Sequence, residues 1–199
     1  SSNSIRIHSL VHVLNSMTPR CQRHLVMYEP IIESGMRFDN ADAWRIEKSA
    51  LYTSLQKGND GLKVVEFIRV KDGKYIFVEA KSSFPNLHNS DSKENVEKNI
   101  NIILNKFVHS LSMLSSVHLR VNDVPETKMP GAFYQLSKPS IHFVLVLHFP
   151  EGRESICEEI RTVFAARLSK ELMRIWRVKV WVMNEHQAQK MGLVLTHLK

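Results

Sequence analysis

Residues 62–83 read LKVVEFIRVKDGKYIFVEAKSS, and the reading of this stretch decides the organisation of the 199-residue chain. Two runs rich in β-branched and aromatic residues, Leu62–Val70 and Lys74–Ala80, flank Asp72-Gly73. A type I′ turn needs positive φ at both central residues; Asp-Gly meets that need, so the stretch predicts a β-hairpin. With a two-residue turn Lys71 pairs with Lys74, and counting back along both strands sets Glu66 opposite Glu79 and Val64 opposite Lys81. Side chains alternate along a strand, so Glu66, Glu79 and Lys81 leave one face together with Val64, Ile68, Val70, Tyr75 and Phe77. Val65, Phe67, Ile76, Val78 and Ala80 form the other face. Two largely apolar faces predict a strand pair inside a sheet, with helices packed over it.

Like charges directly across a ladder destabilise it, and a buried carboxylate without a partner costs more still, so the two glutamates demand a cation. Lys81 supplies one charge, and a divalent metal between the acids would supply the rest. Upstream, Asp39, Asn40 or Asp42 is expected to cap a helix running to about Leu55, closed by Gly58-Asn59-Asp60-Gly61. On that helix Trp44, Glu47, Leu51 and Leu55 share one stripe at three- and four-residue spacing, which points Glu47 inward toward the hairpin acids. The plainer alternative is a solvated first-turn acid paired with Arg45 or Lys48.

Glu66, then Glu79-Ala80-Lys81 at the end of a hydrophobic strand, with Glu47 ahead of the hairpin, resembles the PD-(D/E)xK nuclease superfamily. Val65-Glu66 stands where that superfamily commonly has Pro-Asp. The resemblance spans roughly residues 39–114. It implies a three-layer α/β/α fold with a central mixed sheet, a restriction-endonuclease-like core. It further implies that Glu66, Glu79, the Ala80 carbonyl and Glu47 gather around Mg2+ or Mn2+, with Lys81 orienting and deprotonating the attacking water. Nucleic acid, DNA before RNA, is the implied partner. Dimerisation is a frequent habit of the superfamily, so a homodimer or larger protein assembly is in keeping with it.

The rest of the chain reads as one domain with four parts: an N-terminal extension over 1–38, the motif-bearing core over 39–118, an irregular insertion over 119–140 and the remaining α/β core over 141–199. A formal charge of +7 and a pI near 9.5 favour an anionic partner. Cys21 and Cys157 stand far apart in no ligand spacing, and the Cys21-Gln22-Arg23-His24 run offers too few ligand types for zinc. With no membrane-length apolar run and no leader pattern, the expected location is the cytoplasm.

Within the first part, Gly35 is expected to turn an irregular hairpin. From Lys93 to Val117 the spacing of Val96, Ile100, Ile103, Phe107, Leu111 and Leu114 predicts a long amphipathic helix, with Lys98, Lys106 and His109 elsewhere on it, either placed to touch phosphate or, as is usual for exposed helix charges, only solvated. Ile141–Phe149 predicts a buried strand whose His142 and His148 stand too far apart to share an ion. A second long helix is expected from Glu151 or Ser155 to about Trp176. A last strand follows over Val178–Met183, and Asn184 caps a closing helix ending at Gly192. Two other function classes fit these residues: a nuclease-like fold that only binds nucleic acid or protein, and an ion-pair network with a purely structural role.

Overall fold

The structure is a computed structural model that describes residues 29–56, 61–88, 93–122, 124 and 128–196. The Cys21–His24 run and Gly58–Asp60 lie outside these. At the centre is a five-stranded mixed sheet of β3 (Ala43–Trp44), β4 (Phe67–Lys71), β5 (Lys74–Lys81), β6 (Ser140–Leu147) and β7 (Lys179–Asn184), in that spatial order. β3, β4 and β5 are antiparallel neighbours, whereas β6 and β7 run parallel to β5. The separate hairpin β1 (Ile31–Glu33) and β2 (Met36–Phe38) turns at Ser34-Gly35, both with positive φ, as expected of Gly35.

The hairpin of β4 and β5 has the expected register, from Lys71 opposite Lys74 to Phe67 opposite Val78. Asp72 (φ 49°) and Gly73 (φ 71°) make the turn. The ladder then stops one pair short of the two glutamates. Glu66 donates its N–H to the Val78 carbonyl, and the Val65 N–H is taken by the Ser110 hydroxyl at 2.9 Å. Val65 therefore does not continue the alternation: it is buried beside Val64 in the core that also holds Ile68 and Phe77. A side-chain acceptor outside the sheet overrides the strand period at this point.

Parallel strands need long crossovers, and α2 (Lys93–His118) supplies the one between β5 and β6. Its buried stripe of Val96, Ile100, Ile103, Phe107, Leu111 and Leu114 follows the expected spacing. Phe107 stacks on Phe143 with ring centroids 4.5 Å apart, seating the helix on the middle of the sheet. The second crossover is not one long helix but two, α3 (Glu154–Ala166) and α4 (Lys170–Arg174). The break comes because the Ser169 hydroxyl accepts from the Leu172 N–H and starts a new helix. Cys157, Ile160, Phe164 and Leu172 join the same core as α2, so these helices all lie on one face.

Among the described residues, the opposite face carries a hairpin and one short helix where a second helical layer is expected. Phe67, Ile76, Val78, Val144 and Val146 are covered there by Ile31, Met36 and Phe38 of the β1–β2 hairpin, with Ala188, Leu193 and Val194. Ala188 belongs to α5 (Glu185–Lys190), which is only a short helix and is capped by Asn184 through a full capping box. The layers of the described residues are thus helices, sheet, and a hairpin with one short helix. The expected helix over Asp39–Leu55 is also absent as such. Asp39 is bound to Arg69 at 2.5 Å, and residues 43–44 pair with β4 as an edge strand. A 3-10 turn over Ile46–Lys48 follows, then α1 (Ala50–Leu55), whose cap is Ser49. Trp44 is buried because it points off a strand, and the apparent helical stripe through it is coincidental.

Candidate functional site

The three hairpin residues singled out by sequence come together at the carboxyl end of β5. Glu79 points toward α2, and its side chain is 0% exposed. Its carboxylate receives Lys81 Nζ at 3.0 Å and Lys106 Nζ at 2.8 and 3.1 Å on its two oxygens. Lys106 also reaches Glu66 Oε1, at 3.6 Å. One ammonium therefore spans both acids, as the burial of like charges requires.

Of the two readings of the α2 cations, plain solvation does not hold for Lys106: its side chain is 16% exposed. Burial works against its charge, but the field and hydrogen bond of Glu79, then the fields of Glu66 and Glu47, together hold its pKa above the ordinary lysine value. A signal existed in the sequence. Lys106 adjoins Phe107 and lies three residues past Ile103, on the border of the buried stripe, and Ser110 follows it at i+4. Two polar side chains one turn apart beside a buried stripe require partners, and these find Glu79 and the Val65 N–H. Ser110 thereby fixes the bend that presents Glu66.

Glu66 is crowded by burial and by other carboxylates. Its pKa is pushed up to about 7, first by burial and next by Glu79, with Glu33 and Glu47 adding to the effect and Lys106 opposing it. Glu47 itself is exposed, contrary to the inward-pointing expectation, because residues 46–48 form a 3-10 turn and not the second turn of a long helix. It reaches the centre only through its field, on Glu66, Lys106 and Tyr52.

The Ala80 carbonyl accepts the Ser34 hydroxyl at 3.0 Å, and Glu33 next to Ser34 is bound to Arg45 at 2.8 Å. The tip of the β1–β2 hairpin thus abuts the centre, a contribution from a segment distant in sequence that no local pattern announces. A carbonyl has two acceptor positions, so Ser34 leaves one. Among the described residues no group of three or more His, Cys, Asp or Glu side chains converges in a ligand geometry.

The two strand histidines are separate, as expected. His142 is buried between the Trp181 indole N–H, which donates to its Nδ1 at 3.0 Å, and Ser140. Burial, then Lys179 and Lys74, push its pKa down to about 4. His148 lies past the strand end and pairs with Glu185 at 2.9 Å. Cys157 is a free thiol pushed up to about 11, by burial first and then by Glu154, which makes it an inert core residue. No helix of the described residues is long and apolar enough to cross a membrane. No family model, curated protein or solved structure matches this chain.

Proposed function

We propose that the chain is a metal-dependent nuclease of the PD-(D/E)xK type, hydrolysing phosphodiester bonds in nucleic acid, DNA in preference to RNA. The observation that carries this reading is the meeting of Glu66, Glu79 and Lys81 at the carboxyl end of β5, where one acid is wholly buried and the other is driven up to about 7. The sheet of antiparallel β3, β4 and β5 with parallel β6 and β7, crossed over by α2, is compatible with a restriction-endonuclease-like core.

Glu66, Glu79 and the free position on the Ala80 carbonyl are the oxygens that would hold Mg2+ or Mn2+; an all-oxygen donor set fits a hard divalent cation. When bound, such an ion supplies a Lewis acid at phosphorus and a water of lowered pKa. The chain's own groups do the rest. Glu79 is held rigid by two ammonium groups, so its oxygens are fixed in advance. Glu66, pushed up to about 7, is protonated part of the time near neutral pH and would give up that proton to hold a cation. Lys81, 31% exposed, can leave Glu79 to orient water or to neutralise charge on the phosphate. Lys106 offers a second cation for that charge, and Glu47 acts at a distance by its field.

Magnesium-dependent nicking of plasmid DNA, with calorimetric titration of Mg2+, tests this. Wild type should nick and bind the ion, and Glu79→Ala and Lys81→Ala should lose nicking by more than about a hundredfold. Full activity in both variants would sink the assignment. One observation favours a second reading: Lys106 already satisfies both acids, as a structural ion-pair network would. That reading predicts no Mg2+ heat and no cleavage.

A further inference from the structure

At the other end of the sheet, remote from Glu79, the surface is apolar where a solvated face would be polar. Leu119, Val121 and Ile175 are 74%, 70% and 73% exposed. Leu119 lines, and Ile175 adjoins through Trp176, a groove of two joined concavities, about 330 and 370 Å³, that share Leu111, Ser115 and Trp176 as walls. Leu114, Leu136 and Ile141 line its first half, and Tyr75 holds that end rigid by donating to the Phe133 carbonyl at 2.6 Å and meeting His118 at 3.0 Å. Concavities with preformed apolar walls suit inserted side chains.

Beside the lining in sequence, the described residues supply four cations. Arg120 adjoins Leu119, Arg174 and Arg177 bracket Ile175-Trp176, and Lys138 adjoins Pro139; all four cations are exposed. Glu171 is the only acid lining either concavity among the described residues; hydrogen bonds from its own backbone and from Ser169 lower its pKa and keep it ionised, so one negative charge stands against the four cations. Two of the arginines have left-handed backbones, Arg120 at φ 55° and Arg177 at φ 51°. Each ends a helix at a position where glycine is the unstrained choice, so the guanidinium is kept at a conformational cost.

We propose that this groove is a docking site for an acidic amphipathic helix of a protein partner, whose apolar stripe fills the two concavities and whose flanking carboxylates meet the arginines. It does not rest on the nuclease reading.

The probe is a set of synthetic helical peptides with one shared apolar stripe and flanks of Glu, Gln or Lys, titrated against the full chain by fluorescence anisotropy at low and moderate salt. The Glu-flanked peptide should bind at least about tenfold more tightly than the Gln-flanked one, and the Lys-flanked one should not bind. Binding should weaken with salt and fall at least about tenfold in Trp176→Ala and in Arg177→Gly, the latter relieving backbone strain so that folding is not in question. Equal binding of all three peptides, or none, overturns the proposal. So does concentration-dependent dimerisation in light scattering that Ile175→Asp abolishes, which would assign the groove to a second copy. Tighter binding to vesicles of phosphatidylserine and phosphatidylcholine than to any peptide would assign it to a membrane surface. A lowered melting temperature in Ile175→Asp with no peptide bound would assign it to the chain itself.

Discussion

Replacing Glu66 by Gln should stabilise this protein, and by an amount that depends on pH. The carboxyl is ordinarily half ionised near 4.5 and here is pushed up to about 7, chiefly by burial and by Glu79. The folded value lies above the unfolded one, so the folded state binds the proton more tightly. The favourable contribution is therefore full below about pH 4.5 and is lost as pH rises through about 7. At 1.36 kcal/mol per unit the loss amounts to about 3 kcal/mol, an upper figure because the side chain retains some contact with water. Glutamine keeps the shape and cannot ionise. The variant should match wild type at about pH 4 and exceed it by roughly 1–3 kcal/mol at about pH 8, or about 3–10 °C in melting temperature for a chain of this size.

Differential scanning calorimetry across that range is the assay. Adding Mg2+ to both proteins extends it, since a ligand at a hundred times its Kd adds about 2.7 kcal/mol to the form that binds it. Wild type should gain on addition of the ion at about pH 8 and the variant should not. A variant that melts at or below wild type at every pH would refute the claim that burial and Glu79 disfavour the ionised Glu66. A pH-independent gain would trace the effect to packing instead.

Ser110→Ala should cost about 1–3 kcal/mol by orphaning the buried Val65 N–H, and it should reduce nicking because that bond sets the bend presenting Glu66; urea unfolding and plasmid nicking read the two effects. Phe107→Ala removes the ring stacked on Phe143 and should cost about 3–5 kcal/mol, seen as a melting temperature lower by about 10 °C or more. His142 is pushed down to about 4, so its contribution is present above its ordinary 6.5 and lost as pH falls from there toward 4; His142→Gln should flatten the stability profile in that window by about 1–3 kcal/mol, measured by chemical unfolding at successive pH values.

The parts legible in the sequence were those specified by local chemistry. Asp72-Gly73 set the register of β4 and β5, the stripe from Val96 to Leu114 set α2, and Asn184 set the start of α5. The misreadings share a cause: a partner distant in sequence outweighs a local preference. Asp39 is a plausible helix cap, yet Arg69 holds it, and the following residues extend along β4. Val65 belongs by alternation to the hairpin side, yet Ser110, 45 residues on, takes its N–H and turns it to the helix side. Glu47 followed from the helix that Asp39 does not start. Lys106 was the miss that matters most for the site, because a lysine beside a buried stripe looks solvated until an acid on another element claims it. The contact of Ser34 with Ala80 spans 46 residues and left no trace in composition or spacing.

Lys106 is where the two readings of the centre part company. With Glu66 ionised, the two acids and the two lysines balance, so the cluster can be neutral with no metal at all; with Glu66 protonated it carries a net positive charge, which opposes a divalent ion. A structural network has no further requirement, and its removal by Lys106→Met should leave Glu79 to Lys81 alone and destabilise the fold by about 1–3 kcal/mol whatever ion is present. A metal centre behaves differently. Taking away an ammonium from between two carboxylates makes the site more attractive to a divalent cation, so the same substitution should tighten Mg2+ binding, and saturating ion should restore the lost stability. Cleavage by that variant then separates a lysine that acts on the phosphate from one that only keeps the acids apart. The sign of the magnesium effect on one variant thus distinguishes the readings without recourse to activity.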